Sequence, residues 1–209
     1  MMPVTICVRP CRRADLRILL GIYREGFEQE LTFFFRRFCR CFFQALFRYL
    51  AGDTIVAEVN NRVVGFIVVV PGSIPATRAG ILQLMSTLPT LLLAVRSSFF
   101  IYVLQKVRNM DWSRCHVGIG CVAVKKDFRG KGIGASLMRE ALARYPKRDA
   151  VLDVRPWNES AIRLYSSAGF ERMSAWRDPL GEWIIMSRPQ LSRARTEPET
   201  ERFNSRCVG

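Results

Sequence analysis

The pattern of apolar and polar residues along the chain predicts strands and helices in alternation. Apolar residues that alternate with polar ones, or that form short β-branched runs, predict strands, whereas apolar residues at helical spacing predict helices. The predicted strands are residues 5–9, 54–59, 62–70, 119–124, 151–154, 170–172 and 182–186. The predicted helices are residues 12–27, 31–50, 135–144 and 160–168. With 209 residues, the chain is long enough to pack these elements into one domain.

A glycine-rich loop separates the fourth predicted strand from the helix that follows it. The loop reads RGKGIG, with Gly130, Gly132 and Gly134 at alternate positions. Because glycine lacks a Cβ, this backbone can adopt left-handed dihedral angles and lie against a ligand. The first N–H groups of the helix have no intrahelical partners, and together with the helix dipole they favour phosphate. Arg129 and Lys131 add positive charge, so the loop predicts a phosphate-bearing ligand.

Two known phosphate-binding patterns fit this loop only in part. The nucleoside triphosphate loop ends in Gly-Lys-Ser or Gly-Lys-Thr, whereas Lys131 is followed by Gly132. The dinucleotide fingerprint is closer, because Ala135 follows the glycines and Asp153 comes about twenty residues later. Residues 125–129 nevertheless separate the strand from the first glycine, where the dinucleotide fold requires a tight turn.

A third pattern is met at two places in the chain. Residues 129–134 resemble the Arg/Gln-x-x-Gly-x-Gly/Ala signature of the GNAT superfamily, whose members are acyl-coenzyme A dependent N-acyltransferases. A second block follows at that family's spacing and resembles most closely the ribosomal-protein alanine N-acetyltransferases. It consists of VLDVR at residues 151–155, followed by Asn158, Ala161, Leu164, Tyr165, Gly169 and Phe170. With VVGF at residues 63–66, the resemblance covers about residues 5–187.

The resemblance implies a fold and a domain organisation. The expected fold is α/β, with a mixed, mostly antiparallel sheet of six to seven strands, splayed between strands 4 and 5 and flanked by helices. Residues 1–190 are expected to form a single acetyltransferase domain, in which residues 71–115 are an apolar, helical insert between strands 3 and 4. Residues 191–209 lack hydrophobic periodicity and are predicted to be a disordered tail.

The resemblance also implies that the cofactor is acetyl-coenzyme A, with its pantetheine arm in the gap between strands 4 and 5. The N–H of Val122 is expected to polarise the thioester carbonyl. The side chain of Asn158 is expected to hold the pantetheine arm. The full set of implied cofactor-binding residues is Val122, Ala123, Val124, Arg129, Gly130, Lys131, Gly132, Ile133, Gly134, Asn158 and Tyr165.

Three residues are candidates for proton transfer. Tyr165 matches the family's position next to the cofactor sulfur, and a phenol is a suitable general acid for a departing thiolate. Asp153 stands where the ribosomal-protein enzymes have a glutamate base, and it is one methylene shorter. In the histone-acetylating relatives a glutamate acts as the general base, and the matching position here is Gly118. His116 lies two residues before Gly118, and its imidazole can accept a proton at neutral pH. Deprotonation through water, with no dedicated base, is the default expectation.

Two parts of the chain are more apolar than the surface of a soluble protein usually is. Residues 31–50 carry seven phenylalanines and four arginines, which is typical of a helix packed near the substrate cleft or of one lying on an anionic membrane. Residues 81–95 and 97–107 are strongly apolar, yet each is shorter than a membrane span, and Arg96 separates them. The insert has three alternative roles: a lid over the cleft, a homodimer surface or a peripheral membrane contact.

The net charge of +14 favours an anionic partner over a polyamine. The expected acceptor is a small-molecule or peptide amine. An aminosugar or cell-envelope precursor is favoured, because chains with a similar apolar insert resemble members that act in cell-envelope sugar metabolism. A protein N-terminus is the alternative acceptor, and a non-catalytic membrane-surface protein is a further alternative. Specific binding of nucleic acid is not expected, since the arginines are not interleaved with an aromatic platform.

Cysteine usage bears on location and metal binding. The seven cysteines are odd in number and include no C-x-x-C pair, which favours a reducing compartment. The N-terminal residues show no secretion signal, so we expect a cytoplasmic protein. We expect no metal, because the spacing of Cys39, Cys41, Cys115 and His116 does not match a zinc module.

Overall fold

The computed structural model describes residues 5–26, 53–71, 116–178 and 181–189. The predicted basic helix at 31–50, almost all of the apolar insert at 71–115 and the tail at 191–209 lie outside the described residues. Within the described ranges, no helix is both long enough and apolar enough to cross a bilayer.

Seven strands and three α-helices make up the described part of the chain. The strands are β1 (Ile6–Pro10), β2 (Thr54–Val59), β3 (Arg62–Pro71), β4 (His116–Val124), β5 (Asp149–Val154), β6 (Glu171–Asp178) and β7 (Gly181–Arg188). The helices are α1 (Leu16–Gly26), α2 (Ile133–Ala143) and α3 (Glu159–Ser167). Short 3₁₀ turns, Arg13–Asp15 and Lys126–Phe128, precede α1 and the glycine-rich loop.

All seven strands form one sheet in the order β1-β2-β3-β4-β5-β7-β6. β4 and β5 run parallel, and the other neighbouring strands run antiparallel. The β2–β3 turn is Asn60–Asn61, and both residues have positive φ, of 51° and 59°. This sheet confirms the predicted α/β fold with a mixed, mostly antiparallel sheet.

Helices cover both faces of the sheet. On one face, α2 and α3 bury Leu137, Met138 and Tyr165 against the central strands. On the other face, α1 buries Leu19 and Ile22 completely. Full burial of one such aliphatic side chain contributes about 1.5–3 kcal/mol. The packing of α1 on one face and of α2 and α3 on the other therefore holds the loops that connect these helices to the strands in position.

An ion-paired cluster joins β1, β2 and the turn before α1. Arg9 donates to both carboxylate oxygens of Asp15, at 2.8 and 3.0 Å, and also to Glu58 of β2. Asp15 in addition accepts from the backbone N–H of Arg12 at 2.7 Å. The hydrogen bond from Arg9 holds the pKa of Asp15 below its ordinary value. The cluster therefore anchors the start of α1 to the sheet.

The sequence pattern was wrong about the length of β6. The prediction of residues 170–172 missed most of this strand, which continues to Asp178. β6 lies at the edge of the sheet, and its side chains from Glu171 to Ala175 are exposed, so no burial requires apolar residues there. Because Asp178 pairs with Gly181, the connection to β7 is also shorter than predicted.

Candidate functional site

The sheet opens between β4 and β5. The two strands pair over four positions, from His116–Asp149 to Ile119–Leu152. β4 continues beyond this point, and its pairing with β3 extends to Gly65–Val124. Val122, Ala123 and Val124 therefore lie past the last β4–β5 pair, as the predicted splay requires. Backbone groups of β4 in this stretch can face the gap.

A β-bulge marks the position of this opening. Val68 pairs with Cys121 and Val69 pairs with Ile119, so Gly120 is the extra residue on β4. A Cβ at Gly120 would stand 3.4 Å from Val70 Cγ2, an ordinary contact. Bulges bend a strand and increase its local twist, and this one directly follows the last pair with β5. The bulge thus turns the end of β4 away from β5.

Beyond β4, the glycine-rich loop adopts the backbone predicted for an anion site. Gly130 and Gly132 have φ of +72° and +78°, and no described atom outside their chain neighbours lies within 4 Å of a Cβ built on either. Gly132 is the N-cap of α2 and provides no side-chain cap. The first bond of the helix runs from Ser136 N–H to Gly132 O, at 3.0 Å. The N–H groups before Ser136 are therefore available to a ligand at the open side of the loop.

The third glycine has a packing role. A Cβ at Gly134 would stand 3.2 Å from Leu164 Cδ2, so the absence of a side chain lets α2 approach α3 closely. The side chain of Ile133 is buried in the core, at 1% exposure. Ile133 and Gly134 can therefore contact a ligand only through their backbone atoms.

The cationic side chains of the loop fold back on the protein. Arg129 donates to Val124 O at 3.0 Å, and Lys131 donates to Asp127 O at 2.9 Å while lying over the ring of Phe128. Both side chains are exposed, so turning them toward a phosphate requires no core rearrangement. They supply mobile positive charge around the backbone site.

The C-terminus of α1 contacts the same loop region. Glu25 accepts a hydrogen bond from the backbone N–H of Lys126, which begins the 3₁₀ turn before the glycines. Gly26 lies close to β4, since a Cβ there would stand 3.4 Å from Ala123 Cβ. No local pattern predicts this contact, because the two residues are 101 positions apart.

Tyr165 lies within α3, the helix that follows β5, and Asn158 immediately precedes that helix. Asn158 is the N-cap of α3, and its Oδ1 accepts from Ala161 N–H at 3.2 Å and from Ser160 Oγ at 3.0 Å. Neither bond uses the NH₂ group of its side chain. Tyr165 is 7% exposed, and its ring lies 6.1 Å from that of Phe170. Its ring therefore has a packing role whatever its hydroxyl does.

The two candidate bases occupy different places on the sheet. Asp153 is half-buried in β5, directly after Leu152, where the sheet opens. His116 is the first residue of β4, six positions before Val122, which corresponds to about 20 Å of extended strand. The backbone thus places Asp153 nearer to the gap.

Three tryptophans and an arginine form a stack at the end of β5 that the sequence did not predict. The guanidinium of Arg155 lies 3.8 Å from the ring centroid of Trp183 and 5.2 Å from that of Trp157. Trp183 in turn stacks on Trp176, with centroids 5.7 Å apart and planes 9° apart. These residues come from three separate segments, so no local pattern connects them.

The comparisons with known proteins agree with this architecture. The sequence model of the acetyltransferase (GNAT) family matches residues 19–170. A curated relative, an uncharacterized protein of Mycobacterium leprae, is 44% identical over 52 residues. That match covers 25% of this chain, and the chain spans only 14% of the relative's length.

Solved structures resemble the chain over most of its length. An N-acetyltransferase from Staphylococcus aureus Mu50 has a TM-score of 0.63 at 18% identity, with 87% of this chain and 99% of that one covered. A ribosomal-protein-alanine N-acetyltransferase from Brucella melitensis has a TM-score of 0.58 at 20% identity, with 87% and 98% covered. The NatC complex bound to Gag peptide and CoA has a TM-score of 0.55 at 17% identity, with 88% and 98% covered. At these identities the likeness establishes the fold.

Proposed function

The chain belongs to the acetyltransferase (GNAT) family, and from that premise we propose that it transfers the acetyl group of acetyl-coenzyme A to the primary amine of an aminosugar or cell-envelope precursor. Acetyltransferases of this family use acetyl-coenzyme A. The observation that carries the proposal is the closeness in the chain of two features: β4 parts from β5 after Ile119, and the left-handed glycines follow β4 after one 3₁₀ turn.

The residues present fit the cofactor. The space around Gly130 and Gly132 can admit a diphosphate, and the N–H groups at the start of α2 can donate to it. Arg129 and Lys131 can turn from their backbone acceptors toward its charge. The NH₂ group of Asn158 can hold an amide of the pantetheine arm in the gap.

The chain's own groups can provide each chemical requirement of acyl transfer. When bound, the cofactor supplies an acetyl thioester that an amine can attack directly in a ternary complex. We assign polarisation of the acetyl carbonyl to the N–H of Val122, because backbone donors need no reorganisation during the reaction. The hydroxyl of Tyr165 is assigned as the donor of a proton to the departing thiolate. Asp153, acting through a water, is assigned as the acceptor of the amine proton, with His116 as the alternative base.

The charge of the protein favours the proposed acceptor class. A net charge of +14 repels polyamines and attracts phosphorylated or nucleotide-linked sugars. Long-range attraction of this kind raises the encounter rate of an anionic substrate and weakens with added salt. Acetylation of a sugar phosphate should therefore slow as ionic strength rises, more than acetylation of a neutral amine does.

A protein N-terminus is the second candidate acceptor. It is favoured by the block at residues 151–165, which resembles the ribosomal-protein alanine N-acetyltransferases, and by the fold shared with the Brucella melitensis enzyme. Both candidates use the same cofactor site and the same proposed proton donor, so only the acceptor distinguishes them.

A thiol-release screen tests the proposal. The purified chain is incubated with acetyl-coenzyme A and, separately, with aminosugar phosphates, nucleotide-linked aminosugars, alanyl peptides and simple amines. Release of coenzyme A that requires an aminosugar supports the proposal, whereas release only with peptides supports the second candidate. If coenzyme A binds but no amine promotes thiol release, the catalytic proposal fails, and flotation with anionic liposomes then tests the membrane-surface alternative.

A further inference from the structure

We propose that Trp157 is the platform on which the pyranose ring of the acceptor stacks, with Arg155 and Trp183 holding the indole in place. The inference rests on the proposed function and narrows its acceptor to an amine carried on a ring. It concerns recognition of the acceptor and leaves the binding of the cofactor unchanged.

Trp157 is both exposed and held. It shows 56% of its surface to solvent, the largest exposed fraction among the large hydrophobic residues of the described segments. One contact of its ring is the guanidinium of Arg155 at 5.2 Å, and a second neighbour is the backbone at Gly181, where a Cβ would stand 3.9 Å from Trp157 Cζ3. Single exposed hydrophobic residues are common. An exposed indole whose ring also packs against a guanidinium and a backbone segment, however, presents a flat surface in a fixed orientation.

The contact between Arg155 and Trp157 is rigid because Arg155 is itself buried. Arg155 is 3% exposed, its guanidinium stacks on Trp183 at 3.8 Å, and its Nη1 donates to Glu182 O at 3.4 Å. Trp183 is 5% exposed and stacks on Trp176 in the neighbouring strand. A cation between two aromatic rings is attracted to both, and a desolvated pair of this kind is stronger than an exposed one. Trp157 is thus preorganised, which lowers the entropy cost of binding a ligand.

The stack lies beside the proposed reaction site. Trp157 directly precedes Asn158, the N-cap of the helix that carries Tyr165. Leu152, Val154 and Ile184 belong to the core under α2 and α3, so the alternation of side chains places Asp153 and Trp183 on the opposite face of the sheet. The candidate base and the aromatic stack therefore share the face of the sheet on which α1 lies.

The chemistry of the surface selects the ligand class. A flat indole face offers dispersion contact to the aligned C–H groups of a pyranose ring, over an area that an extended peptide N-terminus or a short alkyl amine does not match. The buried guanidinium behind the ring adds positive charge close to the site, which favours a ring that carries a phosphate. An aminosugar phosphate satisfies both requirements.

The test compares variants on ring and open-chain acceptors. Trp157→Ala removes the platform, Trp157→Phe keeps a smaller one, and Met173→Ala is the matched control, since Met173 is also exposed, at 44%, but lies on the edge strand β6. Steady-state rates are measured with glucosamine 1-phosphate, uridine diphosphate glucosamine and alanyl-alanine amide. We expect Trp157→Ala to raise KM for both sugars about tenfold, which corresponds to about 1.4 kcal/mol of lost contact with the ring. KM for acetyl-coenzyme A, and all constants of Met173→Ala, should stay unchanged.

A binding measurement makes the outcome independent of turnover. Glucosamine 1-phosphate should change the tryptophan emission of the wild type, and this change should be absent in Trp157→Phe. Unchanged sugar KM in Trp157→Ala, or a raised KM for acetyl-coenzyme A instead, would overturn the platform. A loss confined to the uridine-linked sugar would overturn it as well, because the stacked ring would then be the base. Turnover of the peptide alone would refute the ring acceptor while leaving acetyl transfer intact, whereas absence of turnover with every amine would refute the proposed function itself.

Discussion

Ile119 and Leu152 are the last residues that pair β4 with β5, and the opening of the sheet begins with them. Both side chains are buried in the same core cluster, at 3% and 1% exposure. The edge of the gap is therefore fixed by the core. A thioester placed between the strands would meet a rigid boundary on its inner side.

The first prediction concerns charge in the glycine loop. Gly132 has a φ of +78°, which asparagine and aspartate tolerate better than most other residues. Gly132→Asn and Gly132→Asp therefore introduce similar strain and bulk, but only the aspartate repels a diphosphate. We expect coenzyme A to bind Gly132→Asp about tenfold or more weakly than Gly132→Asn, measured by calorimetry, since like charges at contact cost about 1–4 kcal/mol. Equal affinities for the two variants would contradict a diphosphate at this loop.

The second prediction concerns the hydroxyl of Tyr165. Tyr165→Phe retains the ring that contacts Phe170 and removes only the proposed proton donor. Turnover should fall about 100-fold while the affinity for coenzyme A changes little, because general acid catalysis acts in the transition state. Tyr145→Phe is the control. Its hydroxyl donates to Asp53 at 3.1 Å, so its loss should cost about 1 kcal/mol of stability and leave turnover intact. Parallel losses of turnover and cofactor affinity in Tyr165→Phe would assign the residue to packing.

The third prediction concerns the close approach of α2 to α3. Gly134→Val should lower the free energy of unfolding by about 1–3 kcal/mol, because its Cβ would stand 3.2 Å from Leu164 Cδ2 and overpack the contact. Gly21→Val on α1 is the control, since no described atom outside its own helix lies within 4 Å of a Cβ there. Adding Leu164→Ala to Gly134→Val should recover part of the loss, with a coupling of about 0.5 kcal/mol or more in urea unfolding. Additive effects would show that the two helices do not touch at this point.

The fourth prediction concerns acid stability. Arg9 holds the pKa of Asp15 below its ordinary value of about 3.9. At pH values between the lowered pKa and the ordinary one, the unfolded chain therefore binds more protons than the folded chain. The stabilisation from Asp15 is complete above about pH 4 and is lost as the pH falls through the lowered pKa. Asp15→Asn should cost about 2 kcal/mol at neutral pH and should flatten the loss of stability below pH 4. Parallel pH profiles for the two proteins in urea unfolding would rule out this role.

The sequence predicted the parts of the fold that burial controls. β3 lies in the interior of the sheet, and its continuous apolar run identified it. α1 presents Leu19 and Ile22 to the sheet, and the helical spacing of its apolar residues identified it. β6 was missed because an edge strand is defined by backbone pairing, which leaves its side chains free to be polar. The left-handed backbone of the glycine loop was predicted correctly, since glycine adopts φ values such as those of Gly130 and Gly132 without steric cost.

The candidate site was predictable only where its residues are neighbours in sequence. Two blocks of motif placed the loop and α3 correctly relative to the sheet opening. The contact of Glu25 with Lys126 and the stack of Arg155 on Trp183 join distant segments, and no spacing in one sequence encodes them. Asn158 was proposed as a cofactor ligand from the family resemblance, whereas its role as the N-cap of α3 was not predicted.

The single extra residue at Gly120 has a consequence for how β4 can change over time. Before it, Val117 and Ile119 face the core under α2 and α3, and after it Val122 and Val124 do so, while Cys121 and Ala123 face α1. Removal of the Gly120 codon would leave Ile119 opposite Val69 and Cys121 opposite Val68 in a regular ladder, so every later side chain would keep its present face and only the bend would be lost. Loss of this one codon would therefore straighten β4 at the opening of the sheet, while both core layers would keep their side chains.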